Sequence, residues 1–181
     1  YKVPCLYNQK NQYGTISMEE KKSCWFTQFE ATDARRVFPC LDEPGLKAPF
    51  DITIRGREGW KILSNMPLGR GEFLDRFRTT VPMSPYLVAI AISDYVGIEA
   101  DDHNLTIWAP QENIYAGEAE YARKVGVQVL DFFESYLNVP YSLPKIDLIV
   151  VPKKDGRGME NWGLVMIGPD GIVGAEMIAH E

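Results

Sequence analysis

Leu105-Thr106-Ile107-Trp108-Ala109 reads as an apolar strand closed by Pro110, and the run from Gly117 onward decides the fold of the C-terminal half. Gly117 to Leu137 reads as a helix. Ala122, Val125, Val129, Phe132, Phe133 and Tyr136 recur at spacings of three and four, which predicts one shared face. Glu118 and Glu120 stand at its start, where the helix dipole favours negative charge, and Pro140 lies just beyond its end. Ile146 to Val151 is a buried strand between Pro144 and Pro152, and Asn161 to Ile167 makes another. Ala175 to Glu181 opens a second helix. Strand, helix, strand, strand, helix is the pattern of an α/β or α+β unit.

Upstream the texture differs. Phe50-Asp51-Ile52-Thr53-Ile54 alternates apolar and polar residues, Phe73 to Val81 is strand-like, and Tyr86 to Ile92 is a near-continuous apolar strand between Pro85 and Asp94. Turn chemistry separates these runs: Asp42-Glu43-Pro44-Gly45, Arg57-Glu58-Gly59 and Asn65-Met66-Pro67. Short strands with frequent turns predict an all-β unit over residues 1 to about 102.

The composition sets outer bounds. With 45% hydrophobic and 24% charged residues in 181, the chain can build a core. A net charge of -6 argues against nucleic acid as a partner, because phosphate binding needs a basic face. No apolar run reaches the length of a membrane span. The opening Tyr1-Lys2-Val3-Pro4 has neither an initiator methionine nor a signal-peptide pattern. Of the three cysteines, Cys5 and Cys24 are placed to pair across a hairpin, and Cys40 sits in an apolar stretch that predicts a buried thiol. Asn104-Leu105-Thr106 is a glycosylation sequon, which tilts the expectation toward a cell-surface or secreted location over a cytoplasmic one.

Three segments bear chemistry. His180-Glu181 lies on the apolar C-terminal helix and has the form of an opening H-E-x-x-H motif. Residues four apart share a helix face, so two imidazoles can bind one zinc while the Glu acts as base on the metal-bound water. Taken alone, such a pair is more often two solvated residues. Gly158-Met159-Glu160-Asn161-Trp162-Gly163-Leu164 sets a carboxylate beside a carboxamide in a glycine-flanked segment. It suits strand addition by a peptide, but composition alone favours a surface turn before a strand. Thr27 to Arg36, running into Phe38-Pro39-Cys40-Leu41-Asp42-Glu43-Pro44, is by composition a polar loop with solvated or mutually paired charges.

In this order the three segments resemble the aminopeptidase N family of zinc gluzincins. Gln28-Phe29-Glu30 through Pro44-Gly45-Leu46-Lys47-Ala48-Pro49-Phe50 is similar to the signature of its N-terminal β domain. Ser64-Asn65-Met66-Pro67 and Val81 to Leu87 match its usual run. Met159-Glu160-Asn161-Trp162-Gly163-Leu164 resembles its G-A-M-E-N exopeptidase motif, and Ile178-Ala179-His180-Glu181 the start of its zinc helix.

The resemblance implies a multidomain α+β protein. An N-terminal antiparallel, saddle-like β domain (1–102, incomplete at its start) precedes the beginning of a thermolysin-like α/β catalytic domain (103–181, cut inside H-E-x-x-H). It implies a zinc aminopeptidase that acts on peptides with a free N-terminus and holds one Zn2+ ion in the complete protein. His180 is then the first metal ligand and Glu181 the catalytic base. Glu160 and Glu30 hold the substrate ammonium, and Gln28 lines the pocket for the first side chain. Gly158 and Met159 offer backbone to the peptide, with Asn161 in the same substrate-binding segment. A peptide α-amine has a pKa of roughly 7.7–8.0, so it is largely cationic at neutral pH and suits carboxylates. For Glu30 and Glu160 to share it, the two carboxylates should lie about 4–8 Å apart.

The chain also departs from the family. Arg157-Gly158 stands where Gly-Ala is usual, and the Arg157 guanidinium is placed to pair with Glu160. Only the 18 residues Trp162 to Ala179 separate Asn161 from His180, fewer than the family's connection. The second histidine, the distant glutamate ligand and the transition-state tyrosine do not occur in the 181 residues. The competing expectations are a non-catalytic truncated relative that binds peptide N-termini, and a fragment that does not fold.

Overall fold

The computed structural model describes residues 24–55, 59–69, 74–152 and 158–181. The chain divides into two units, Tyr1–Asp94 and Tyr95–Glu181.

The first unit is built from short antiparallel strands: β1 (Trp25–Phe26), β2 (Thr53–Ile54), β3 (Lys61–Ser64), β4 (Asp75–Arg76) and β5 (Ile90–Ser93). β5 is the centre of a three-stranded sheet in the order β1-β5-β3, and β2 pairs with β4. The strand expected over Tyr86–Ile92 is shorter than its apolar run. Pro85–Leu87 forms a 3-10 turn, and only Ile90–Ser93 is strand. Pro85, at the first position of that turn, fixes φ near the helical value and has no N–H to give to a ladder.

Asn65 shows what the Ser64-Asn65-Met66-Pro67 run does. Its side chain is fully buried, its Nδ2 donates to Leu87 O at 2.8 Å, and its Oδ1 accepts Ala89 N–H at 2.9 Å. A carboxamide, with one donor end and one acceptor end, satisfies backbone that no strand reaches. Ser64 Oγ adds a bond to Ala89 O at 2.8 Å. Around them Phe26, Met66, Met83, Ala89 and Ala91 are buried. Cys24 is buried but Cys40 is only half-buried, less than its apolar neighbours predict. The expected partner Cys5 lies outside the described residues.

The second unit contains β6 (Val96–Glu99), β7 (Leu105–Ala109), α1 (Gln111–Tyr115), α2 (Glu118–Leu137), β8 (Ile146–Val150), β9 (Leu164–Ile167) and α3 (Ala175–His180). The sheet order is β6-β7-β8-β9, with β6 antiparallel to β7 and the other two pairs parallel. Antiparallel sheets are thus followed by a mixed sheet with helices.

Strand alternation divides the second unit's sheet into two faces. Leu105, Ile107, Ala109, Leu148, Val150, Val165 and Ile167 form one buried cluster with Ala119 and Ala122 of α2 and Ile178 of α3. Trp108, Asp147, Ile149, Leu164 and Met166 lie on the other face. The predicted stripe of α2 is only partly buried. Ala122 is buried and Val125 packs on the cluster, but Phe132, Phe133 and Tyr136 are 59%, 40% and 74% exposed. The buried line runs instead through Ala119, Ala122 and Gly126. Gly126 brings the helix onto β7, since a Cβ there would stand 2.8 Å from Leu105 Cδ2. The aromatic run is partly self-covered by stacking of Phe132 on Tyr136 at 5.7 Å. Among the described residues no helix is long and apolar enough to cross a membrane.

Candidate functional site

Met159 places the exopeptidase-like segment. Its N–H donates to Met166 O at 2.8 Å, and its C=O accepts Met166 N–H at 3.0 Å. It therefore adds an antiparallel strand position to the edge of β9. Both of its backbone groups are used, so those of Gly158 and Glu160 point to the side opposite β9. The Met159 side chain is buried and Glu160 is exposed. By alternation, Glu160 shares a face with Gly158, the face on which the helices pack.

The carboxylate of Glu181 meets that face. A Cβ added at Gly158 would lie 2.1 Å from Glu181 Oε1 and 2.3 Å from its Cδ. The helix that carries it is set by Ile178, buried in the cluster, and by Glu181 N–H donating to Met177 O at 3.1 Å. His180, in the last turn of α3, is exposed. The second unit thus brings Gly158, Met159, Glu160 and Asn161 along one edge of its sheet, with Glu181 against Gly158. Arg157 lies outside the described residues.

The segment leaves the edge by a tight turn. Asn161 O accepts Leu164 N–H at 3.0 Å, and Gly163 has φ 75, at the third position, where a type II turn needs glycine. Asn161 is 2% exposed, and its Nδ2 has no hydrogen-bond partner among the described residues. The Gly163 carbonyl accepts Asp147 N–H at 3.1 Å and Lys145 Nζ at 2.5 Å. Lys145 Nζ also binds Asp147 Oδ2 at 2.5 Å, and Trp108 Nε1 donates to Asp147 Oδ1 at 3.0 Å. Burial pushes the Lys145 ammonium toward a lower pKa, and the Asp147 charge opposes that. Burial pushes the Tyr141 hydroxyl up to about 12, against the pull of a hydrogen bond with the Gly163 backbone.

Sequence reasoning missed this network. The signal was present: Lys145 and Asp147 are two apart at the start of an apolar strand, so period 2 sets both on one face.

In the first unit, Gln28 and Glu30 flank Phe29, which is 2% exposed and packs edge-on against Phe38 at 6.2 Å. That places Gln28 half-buried and Glu30 at the surface. The loop after Glu30 is closed by Arg35, whose Nε and backbone N–H both reach Asp42 Oδ2, at 3.2 and 3.1 Å.

Among the described residues no group of three His, Cys, Asp or Glu side chains is gathered to hold a metal ion. His180 supplies one imidazole, and a closed or catalytic zinc site needs at least three protein ligands. The described residues therefore do not form a metal centre by themselves.

Residues 2–87 match the peptidase M1 N-terminal domain, and residues 121–180 match the peptidase family M1 domain. The chain is 39% identical to human (Homo sapiens) aminopeptidase Q over 85% of its own length and 17% of that protein's. It is 43% identical to endoplasmic reticulum aminopeptidase 1 of Mus musculus over 76% of the chain and 16% of the relative. It is 40% identical to glutamyl aminopeptidase of Bos taurus over 84% of the chain and 17% of the relative. The chain thus spans about a sixth of the length of these relatives. With the M1 N-terminal domain and the M1 peptidase domain matched in their proper order, the chain belongs to peptidase family M1.

Proposed function

We propose that the protein to which these residues belong is a zinc aminopeptidase that removes N-terminal residues from peptides. One observation carries this reading: Met159 holds the Gly158–Asn161 segment on the edge of β9, with the Glu181 carboxylate against Gly158. A substrate extended along that edge meets the outward backbone of Gly158 and Glu160, and strand addition of this kind supplies main-chain hydrogen bonds. The Glu160 carboxylate receives the cationic α-amine and so selects free N-termini. Within the first unit, surface Glu30 and half-buried Gln28 are the residues to which the family resemblance assigns recognition of a substrate ammonium and of the first side chain. Asn161 offers its Nδ2 donor.

Glu181 takes the proton of the attacking water, and His180 is the first of the zinc ligands. The remaining ligands belong to parts of the protein outside these residues. In domain terms, the expected division at about residue 102 moves to Asp94/Tyr95, since β6 pairs with β7; the first part belongs to a saddle-like β domain and the second begins a thermolysin-like catalytic domain. The sequon at Asn104, an exposed residue, favours a cell-surface or secreted location over a cytoplasmic one, and the endoplasmic reticulum relatives are compatible with a non-cytoplasmic one.

The test is a comparison of variants in the full-length protein on aminoacyl-chromogenic substrates. Glu160→Ala is expected to raise KM for unblocked substrates by about tenfold or more, the loss of one charge-assisted contact. Glu181→Gln is expected to abolish turnover while leaving bound zinc unchanged. Unblocked substrates cleaved by Glu160→Ala as well as by wild type would overturn the amine-binding role.

A further inference from the structure

We infer that Lys145 is a positioning residue for the exopeptidase segment: through the Gly163 carbonyl it sets where Glu160 stands. The inference rests on the function proposed above and adds a residue from outside the segment.

The geometry is that of a short span between two fixed points. Met159 is held by two backbone bonds to Met166. Three residues separate it from Gly163, whose carbonyl receives two donors, Asp147 N–H and Lys145 Nζ. A carbonyl oxygen has two lone pairs, so both are occupied. Glu160, Asn161 and Trp162 therefore lie between two clamped ends, with the Asn161 carbonyl also accepting Leu164 N–H. The Lys145 clamp is itself held, since its ammonium binds Asp147 Oδ2, and Asp147 Oδ1 is taken by Trp108 Nε1. The side chains of Lys145 and Asp147 are only 15% and 7% exposed.

A buried ammonium is costly, and here two contacts offset that cost, the Asp147 carboxylate and the Gly163 carbonyl. What an apolar side chain cannot do is bind the Gly163 carbonyl. Gly163, with its positive φ, is the residue at which the turn adjusts when its carbonyl loses the lysine donor and keeps only Asp147 N–H. Rotation there moves Asn161 and Glu160 relative to β9. A shift of about 1 Å in a binding group costs as much as 100-fold in rate or affinity.

The experiment uses the full-length protein and compares Lys145→Met, Lys145→Gln, Lys145→Arg and Glu160→Ala. For Lys145→Met, KM for an unblocked aminoacyl-chromogenic substrate is expected to rise about tenfold or more, with kcat within about threefold. Lys145→Arg keeps the charge and the donors and is expected to restore KM to within about threefold of wild type. A residue that only stabilises the fold would lower the melting temperature without this split.

Lys145→Gln is read in the same way if Lys145→Met does not fold. An unchanged KM in every folded, uncharged variant overturns the inference. Failure of both uncharged variants to fold also overturns it, since the lysine then only holds the fold. Glu160→Ala separates the two claims. If it leaves KM unchanged, the amine-binding reading fails. If it raises KM and the Lys145 variants do not, only the positioning inference fails.

Discussion

Gly126 lies in the middle of α2, and Gly126→Ala sets two effects of similar size against each other. Replacing glycine by alanine in a helix interior gains about 1 kcal/mol. Against it, the new Cβ would stand 2.8 Å from Leu105 Cδ2, roughly 1 Å inside an ordinary carbon contact. Leu105 is 2% exposed and lies in the main cluster with Ile107, Ala122 and Leu148. A close-packed interior leaves its methyl little room to withdraw. Overpacking costs about 1–3 kcal/mol, and a single methyl conflict belongs near 2. The net expectation is a loss of about 1 kcal/mol.

The other Leu105 atoms near the added Cβ are at 4.0 Å, so the conflict is confined to one methyl. Leu105→Val shortens the opposing side chain and removes it. In that background Gly126→Ala should stabilise by up to about 1 kcal/mol, a reversal of sign. Hydrogen exchange of the α2 amides in the four proteins measures both steps locally. An equal loss from Gly126→Ala in both backgrounds would show that Leu105 is not the obstacle. A gain of about 1 kcal/mol in the parent would show that Leu105 moves aside freely.

Gly158→Ala restores the residue usual in the motif and displaces Glu181, whose Oε1, Cδ and Cγ would lie 2.1, 2.3 and 2.5 Å from the new Cβ. Oε1 and Cδ end the side chain but Cγ is bonded to Cβ, so Glu181 must change rotamer, and the expected cost is about 1 kcal/mol by urea unfolding; a loss well above that would mean the carboxylate is locked. The Tyr141 hydroxyl, pushed from 10.0 up to about 12, favours the neutral form in the folded state. Its contribution is complete below pH 10 and is lost as pH rises toward 12, by up to about 2.5 kcal/mol. Tyr141→Phe should flatten that alkaline loss in thermal melts from pH 9 to 12, and an identical loss in the variant would refute the assignment. The lowered pKa of Lys145 acts in the opposite sense, raising stability as pH climbs toward 10.5.

Elements whose signals are local were legible in the chain before any folding was considered. The 3.6-residue period and Gly117 mark α2, alternation bounded by Pro110 marks β7, and the apolar run after Pro144 marks β8. The motif residues from which the family is recognised were equally legible, because those are short, ordered strings.

Phase and partnership emerged only when the elements packed. The helical period predicts that α2 has an apolar face, but the close approach at Gly126 selects the line through Ala119 and Ala122 and leaves Phe132 and Tyr136 exposed. Tyr86–Ile92 is apolar throughout, yet Pro85 and the Asn65 side chain make its first part a turn held by bonds from residues about 20 positions away. The pairing of β6 with β7, the bonds from Met159 to Met166 and the lysine clamp on Gly163 join groups that are neighbours only after folding. Hydrophobic period reports which residues seek burial. It does not report which hydrogen-bond donor meets which carbonyl, because that depends on the distances set when separate elements pack.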